Sequence, residues 1–390
     1  MSADVTVVRA RLYEVALPLR APFTISGGTM RVRRSLIVEL EDQDGVCGWG
    51  ESAPFEQPFY SAETVASART CLAELLLPRM VAHPAGDSLS VADLLGRGIR
   101  GNRMARAGAD TAWWDLRAAL EGKSLAELVS QRLARLGVPE RWLERRDRID
   151  CGIALGIPEG GDLDQLRRDV ESALAEGYRR VKIKVKPGWD AEPARVALEV
   201  LREASRGVPL TVDANGAYRL SQHLPMLELL DRLALLYIEQ PLDGDALWDL
   251  VQLSRRLETP ICLDESLTCD DVARQVVEMS GPTVWNIKVQ RVGGLEEACR
   301  IYARAVAAGV QLWAGTMPES GLGAQATLAL ACHAGFVYPS DLEPSERWYA
   351  QGADLVELKM ASDGTMAVPK ERPIPDLQHA TLVYEAVRKL

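Results

Sequence analysis

The feature that most constrains this chain lies between Asp150 and Tyr338. Short β-branched runs alternate there with helical stretches of about ten to fifteen residues, the spacing of βα units. The runs are CGIALGI, RVKIKV, LTVDAN, LYIEQ, PICLDE, VWNIK, QLWAG and FVYPS. Such alternation specifies a parallel sheet covered by helices. Eight runs in this span point to a closed barrel of the (β/α)8 type. Several runs also end in a charge: Lys184, Asp213, Glu239, Asp264 and Lys288 close the second to sixth, at intervals of 24 to 29 residues. The C-terminal strand ends of a parallel barrel converge on one mouth, so these charges are expected to face a common cavity.

The residue types narrow the chemistry. Three carboxylates stand on consecutive strands, with a lysine on either side. Hard oxygen ligands with open positions suit Mg²⁺, while thiolate and imidazole are absent from these positions and zinc fits poorly. Mn²⁺ or another divalent ion would meet the same ligands. A lysine beside a metal and a second cation should titrate low, as a general base requires. The expected reaction is proton abstraction from the carbon next to a carboxylate, through an enediolate.

Composition removes other classes. The chain has 390 residues, 47% hydrophobic and 26% charged, ordinary for a globular protein. Its net charge of −10 argues against a nucleic-acid partner. It leaves a small anionic substrate open, because a local site can oppose the global sign. Seven scattered cysteines without C-x-x-C fit a reducing cytoplasm better than a disulfide framework. The N-terminus lacks the apolar core of a signal peptide, and no stretch reaches the length needed to span a membrane.

The first third reads as α+β. VTVVRARLYEV and SLIVELED are strand-like, and GVCGWGES is a third strand entered by a Gly turn. Between the first two, PFTISGGTMRVRR has two competing readings. One is a plain hairpin. The other is a lid hinged at Gly27 and Gly28, with Phe23 or Thr24 meeting substrate. Phe55, Phe59 and Tyr60 sit in a second candidate loop and are specificity candidates. RMARAGADTAWWDLRAALEG has helical spacing and stops at Gly122. Trp113 and Trp114 are read as helix packing, and His83, His223, His333 and His379 as structural.

Several ordered stretches now gain a common meaning: VKIKVKPGWD, VDANGAY, IEQPL, CLDES, NIKVQRVGG and GTMPESGLG. Together they resemble the enolase superfamily, within it the muconate-lactonising-enzyme subgroup. The nearest resemblance is to the o-succinylbenzoate synthase / N-succinylamino acid racemase family. It covers almost the whole chain, with GWGES and PFYS matching the capping domain of that family. The resemblance implies an α/β fold: a modified (β/α)7β TIM-type barrel over 136–360, and an α+β cap from 1–135 to which 361–390 returns. It implies Lys184 and Lys288 as acid/base residues on opposite faces, and Asp213, Glu239 and Asp264 as metal ligands. Lys182 and Asn215 would assist the substrate carboxylate. Arg291 resembles an arginine of members that racemise. Met317, Glu319, Phe23 and Tyr60 complete the substrate-contact candidates. In a dehydration Lys184 would be base and acid while ammonium Lys288 stabilises the enediolate; in a racemisation the two would exchange protons. A cytoplasmic homo-oligomeric lyase or isomerase is the expectation, in the first case serving menaquinone biosynthesis.

Two departures lie near the substrate. YPSDLEPSERWY keeps Asp341, Ser345 and Arg347 of the family pattern P-G-D-x-S-A-S-x-R-Y and loses the rest, and Ala324 stands where relatives often carry arginine. Muconate cycloisomerases and dipeptide epimerases share the metal ligands and remain alternatives. A more remote alternative is a barrel glycosidase using Glu239 and Glu319, which leaves both lysines unexplained. A non-catalytic binding barrel would be expected to lose a lysine or a ligand, and none is missing. Glu265 is read as a partner that orients Lys288 or a ligand, and Lys186 as a solvated loop lysine.

Overall fold

The computed structural model describes residues 4–25 and 28–388, with the side chains of 23–29 outside that description. β1 (Val7–Ile25), β2 (Gly28–Asp42) and β3 (Cys47–Ser52) form an antiparallel sheet, and the strand Ala380–Val387 adds to the free side of β1. Ala10, Leu12, Leu36, Val38 and Leu40 alternate onto one face and are buried. Burying each leucine contributes about 1.5–3 kcal/mol.

The segment from Pro22 is ribbon rather than open loop. Phe23 pairs with Met30, Thr24 with Thr29 and Ile25 with Gly28. Threonine, isoleucine and valine favour this extended pairing. The pairing breaks step between Pro18 and Phe23. Gly27, the expected hinge, and the side chain of Phe23 lie outside the described residues.

The helix Arg103–Glu121 packs on β3, and two glycines make this possible. A Cβ on Gly48 would stand 2.3 Å from the Leu116 nitrogen, and one on Gly50 2.3 Å from the Gly108 carbonyl oxygen. This close approach is why the strand reads GWG. Asn102 gives this helix no side-chain cap. Glu63 caps it instead, accepting from the Met104 and Ala105 nitrogens at 2.9 and 3.0 Å. Gly122, left-handed at φ 60°, ends it as expected. Trp113 and Trp114 are buried, edge to face.

The barrel strands follow. After the short β4 (Arg148–Asp150), which lies outside the barrel sheet, they are β5 (Gly152–Leu155), β6 (Arg180–Lys184), β7 (Leu210–Asp213), β8 (Leu235–Glu239), β9 (Ile261–Leu263), β10 (Val284–Ile287) and β11 (Gln311–Ala314). β5 to β11 make a curled seven-stranded parallel sheet in sequence order. The eighth run, FVYPS, forms no regular strand, because Pro339 has no N–H to give a ladder. Residues 336–341 nonetheless bridge both edges of the sheet. Leu312 bridges Phe336 and Cys151 bridges Ser340, and the Gly152 nitrogen donates to the Ser340 carbonyl. The tail then divides. β12 (Thr365–Ala367) pairs with β4 on the barrel side, and only β13 (Ala380–Val387) joins the cap sheet.

The two parts meet through side chains that grip main chain. Glu51, at the end of β3, accepts from the Ser320 and Gly323 nitrogens and the Ser320 hydroxyl, at the start of the helix Gly321–Ala331. Asp110 accepts from the Leu295 nitrogen at 2.6 Å, at the start of the helix Leu295–Ala308. Glu51 sits where a helix dipole favours negative charge, whereas burial holds Asp110 toward its protonated form. Gln290 reaches the other way, to the Ala53 nitrogen and the Glu51 carbonyl. All seven cysteines are free. No described helix is long and apolar enough to cross a membrane.

Candidate active site

Strand register builds the charged arc. Lys184 is level with Asp213, and Asp213 with Glu239. Glu239 is level with Cys262, so Asp264 stands two residues higher on the same face. Leu263 is level with Trp285, which places Asn286 opposite Asp264 and Lys288 two residues above it. The arc therefore climbs as it crosses β9 and β10, the stagger that a tilted barrel requires.

The side chains interlock. Lys184 Nζ donates to Asp213 Oδ2 at 2.6 Å and to Asn215 Oδ1 at 2.7 Å. Lys182, two residues earlier and so on the same face, donates to Glu239 at 2.9 Å and pairs with Asp341 at 2.6 Å. At the other end Lys288 Nζ donates to Asp264 Oδ2 at 2.9 Å and to the Tyr60 hydroxyl at 3.2 Å. Tyr60 comes from the cap, and its hydroxyl also reaches Asp264 Oδ1 at 3.2 Å. The Arg291 guanidinium donates to the same Asp264 oxygen, to the Asn286 carbonyl and to the Leu267 carbonyl. Glu265 accepts from Asn215 at 3.0 Å.

Burial and neighbours set the ionisation. Desolvation, then repulsion from Asp213, pushes the Glu239 carboxyl up to about 7. Desolvation, with Asp264 and Asp213 adding, pushes Glu265 up to about 8. Asp264 goes the other way, to about 2: burial opposes its charge, but Lys288 and Arg291 outweigh burial. Burial also opposes the Lys288 ammonium, yet Asp264 and Tyr60 push it above its ordinary range.

Nine of the expected residues thus gather at the mouth: Lys182, Lys184, Asp213, Asn215, Glu239, Asp264, Lys288, Arg291 and Tyr60. Met317 is buried beside Ala53, Phe55 and Met104, with Phe59 and Tyr60 against the same cluster. Glu319 does not join the arc. Its carboxylate accepts from the Met317 nitrogen, and desolvation, then Glu51, pushes it up to about 7. Glu239 is taken by Lys182 and Asn286, and the glycosidase pairing leaves these contacts and both lysine–carboxylate pairs unexplained. Lys186 is exposed and His333 buried, each as expected.

One participant escaped the sequence reading, and a second was marked only as a residue kept from the family pattern. Asn286 donates to both Glu239 and Asp264 at 3.2 Å. Asp341 takes Lys182 and Arg180 together. The signal for Asn286 was present, since it lies two before Lys288 as Lys182 lies two before Lys184. Asp341 follows a run that is not a strand, so no period pointed to it.

A divalent cation fits this donor set. Asp213, Glu239 and Asp264 offer hard oxygens, and two buried acceptors beside them, Asn286 Oδ1 and Glu265 Oε2, lack a hydrogen-bond partner. The three carboxylates are not within 4.8 Å of one another; among the described residues the grouping that close is Glu39, Glu41 and Cys47 on the cap. Arg9, Arg11 and Tyr13 already hold those two carboxylates. At the mouth, Lys182 and Asn286 lie between the three carboxylates.

Comparison with known proteins points the same way. Residues 7–130 match the family model of the mandelate racemase / muconate lactonizing enzyme N-terminal domain, and 165–373 that of the enolase C-terminal domain-like family. The N-succinylamino acid racemase of Thermus thermophilus is 40% identical over 93% of this chain and 92% of its own length. The o-succinylbenzoate synthase of Bacillus subtilis is 34% identical, over 94% and 93%. An enolase-superfamily structure from Enterococcus faecalis superposes with a TM-score of 0.85 at 32% identity, covering 98% of this chain and 99% of that one.

Proposed function

We propose a function from one premise: this chain belongs to the mandelate racemase / muconate lactonizing enzyme family of the enolase superfamily, and is an enzyme. It removes the proton next to the carboxylate of a small N-acyl amino acid or a related succinyl acid. The product is the other hand of the N-succinylamino acid, o-succinylbenzoate, or both. The observation that carries this reading is the pair of lysines at the two ends of one carboxylate arc, Lys184 on Asp213 and Lys288 on Asp264.

Mg²⁺ held by Asp213, Glu239 and Asp264 would draw charge from the substrate carboxylate and make its α-proton more acidic. The chain's own groups do the rest. Lys182 is fixed by Asp341 and Glu239, so its ammonium presents a positive charge without moving. Asn215 steadies Lys184 at 2.7 Å. In racemisation one lysine Nζ takes the α-proton and the other returns a proton to the opposite face. In dehydration Lys184 serves as base and then acid, while Lys288 stays an ammonium. Arg291, which shares Asp264 with Lys288, favours the racemase reading only through its resemblance to the arginine of racemising members.

The test is a panel assay with Mg²⁺ in D₂O. It offers N-succinyl amino acids of both hands, the cyclohexadiene precursor of o-succinylbenzoate, and muconate. Deuterium should enter the α-carbon of a succinylated substrate, chelator should stop it, and Lys184→Ala or Lys288→Ala should abolish racemisation in a folded protein. Full racemase turnover in either variant would sink the two-lysine mechanism. Turnover of muconate alone would move the chain to another activity of the family.

A further inference from the structure

Arg33 is a fully buried arginine on β2 with no carboxylate within ion-pair distance among the described residues. Burying a guanidinium in this way is costly unless its donors are satisfied. Here all five N–H donors find main-chain carbonyls. Nε donates to Pro318 at 2.9 Å. One terminal nitrogen donates to Arg34 and to Pro54, at 2.6 and 2.7 Å. The other donates to Ala53, and to Met317 at 3.2 Å. The fork thus joins a cap loop, Ala53–Pro54, to the loop after β11, Met317–Pro318.

Both loops carry the apolar wall at the barrel mouth. Ala53, Phe55, Met104 and Met317 form one buried cluster, with Phe59 and Tyr60 packed against it. The Arg33 guanidinium lies 5.1 Å from the centre of the Phe55 ring. Tyr60 then carries the wall to Lys288.

We propose that Arg33 is a positioning residue that locks the cap loop and the Met317 loop into one wall, and thereby sets which substrate side chain the site accepts. It touches neither substrate nor reacting atoms. A planar five-donor fork is needed, because lysine offers three donors from one nitrogen and cannot span both loops.

The test has two arms on the full chain. In the first, amide hydrogen exchange followed by mass spectrometry compares wild type with Arg33→Lys and Arg33→Gln. Exchange should rise about tenfold or more in peptides covering 53–60 and in those covering 317–320, while β7 and β10 stay protected. Arg33→Gln leaves no buried charge behind and serves where Arg33→Lys is not soluble. Unchanged exchange over 317–320 in a soluble variant would overturn the proposal. The second arm rests on the function proposed above. It compares kcat/KM for N-succinylalanine and N-succinylphenylalanine. The wild-type preference between them should shrink by about tenfold, mostly through KM, with kcat for the small substrate largely kept. Loosened loops with an unchanged preference would refute the selectivity role. Failure of the wild type to turn over either substrate would count against the function alone and leave the exchange arm standing.

Discussion

Tyr60→Phe probes the asymmetry of the two lysines. The Tyr60 hydroxyl touches Lys288 at 3.2 Å, Asp264 at 3.2 Å and Arg291 at 3.4 Å. Lys184 is held by Asp213 and Asn215, and Tyr60 takes no part in that pair. The substitution keeps the ring and its packing against Phe55 and removes one hydroxyl. A hydrogen bond to a charged group contributes about 1.5–3 kcal/mol. Its loss should slow proton transfer at Lys288 by roughly 10- to 100-fold. Racemisation in both directions must fall together, because the two hands have equal free energy. Single-face exchange separates the steps. In D₂O with Mg²⁺, the hand whose α-proton meets Lys184 should still wash in deuterium near the wild-type rate. The hand that meets Lys288 should not. Equal losses for both hands, or no loss for either, would refute the claim that the cap hydroxyl serves one lysine.

Other outcomes follow from the packing. Glu51→Ala strands the Ser320 and Gly323 nitrogens and the Ser320 hydroxyl in a buried place. At about 1–3 kcal/mol for each lost partner, the unfolding free energy from denaturant titration should drop by several kcal/mol, more than for Glu51→Gln. Gly50→Ala drives a Cβ to 2.3 Å from the Gly108 carbonyl, so thermal melting should show a loss of at least about 1–3 kcal/mol from overpacking. Desolvation pushes the Asp110 carboxyl from 3.8 up to about 8. Its protonated form is therefore favoured by the fold: this contribution is complete below the unfolded value and is lost as pH rises through about 8. Urea unfolding of wild type should weaken from pH 5 to 9 relative to Asp110→Asn, and parallel pH profiles of the two would contradict the assignment.

The barrel was legible because its strands are short, β-branched and separated by near-constant intervals. The family resemblance, not the strand-end spacing, added Lys182 to Lys184. The eighth run misled, since FVYPS has the composition of a strand while Pro339 denies it a ladder. The 22–34 segment left two readings open, a hairpin and a lid. Its glycines and hydroxyls look like a loop, yet pairing across β1 and β2 continues through most of it. Glu319, a substrate-contact candidate, turns its carboxylate onto the Met317 nitrogen. Arg33 gave no signal at all. Its partners are carbonyl oxygens, which every residue carries, so no pattern of side chains could disclose them.

That same grip on carbonyls and amides bears on how such a molecule can change. Glu51, Asp110, Gln290 and Arg33 all bind peptide groups of the opposite part. These four grips read the path of the backbone, while Arg132 and Ser88 on Glu296 and Tyr60 on Lys288 join the parts side chain to side chain. Met317 can be exchanged for another residue while its carbonyl still meets Arg33. New side chains can be tried at Met317 without renegotiating the main-chain grips, so that part of the lining can drift while those grips stay constant.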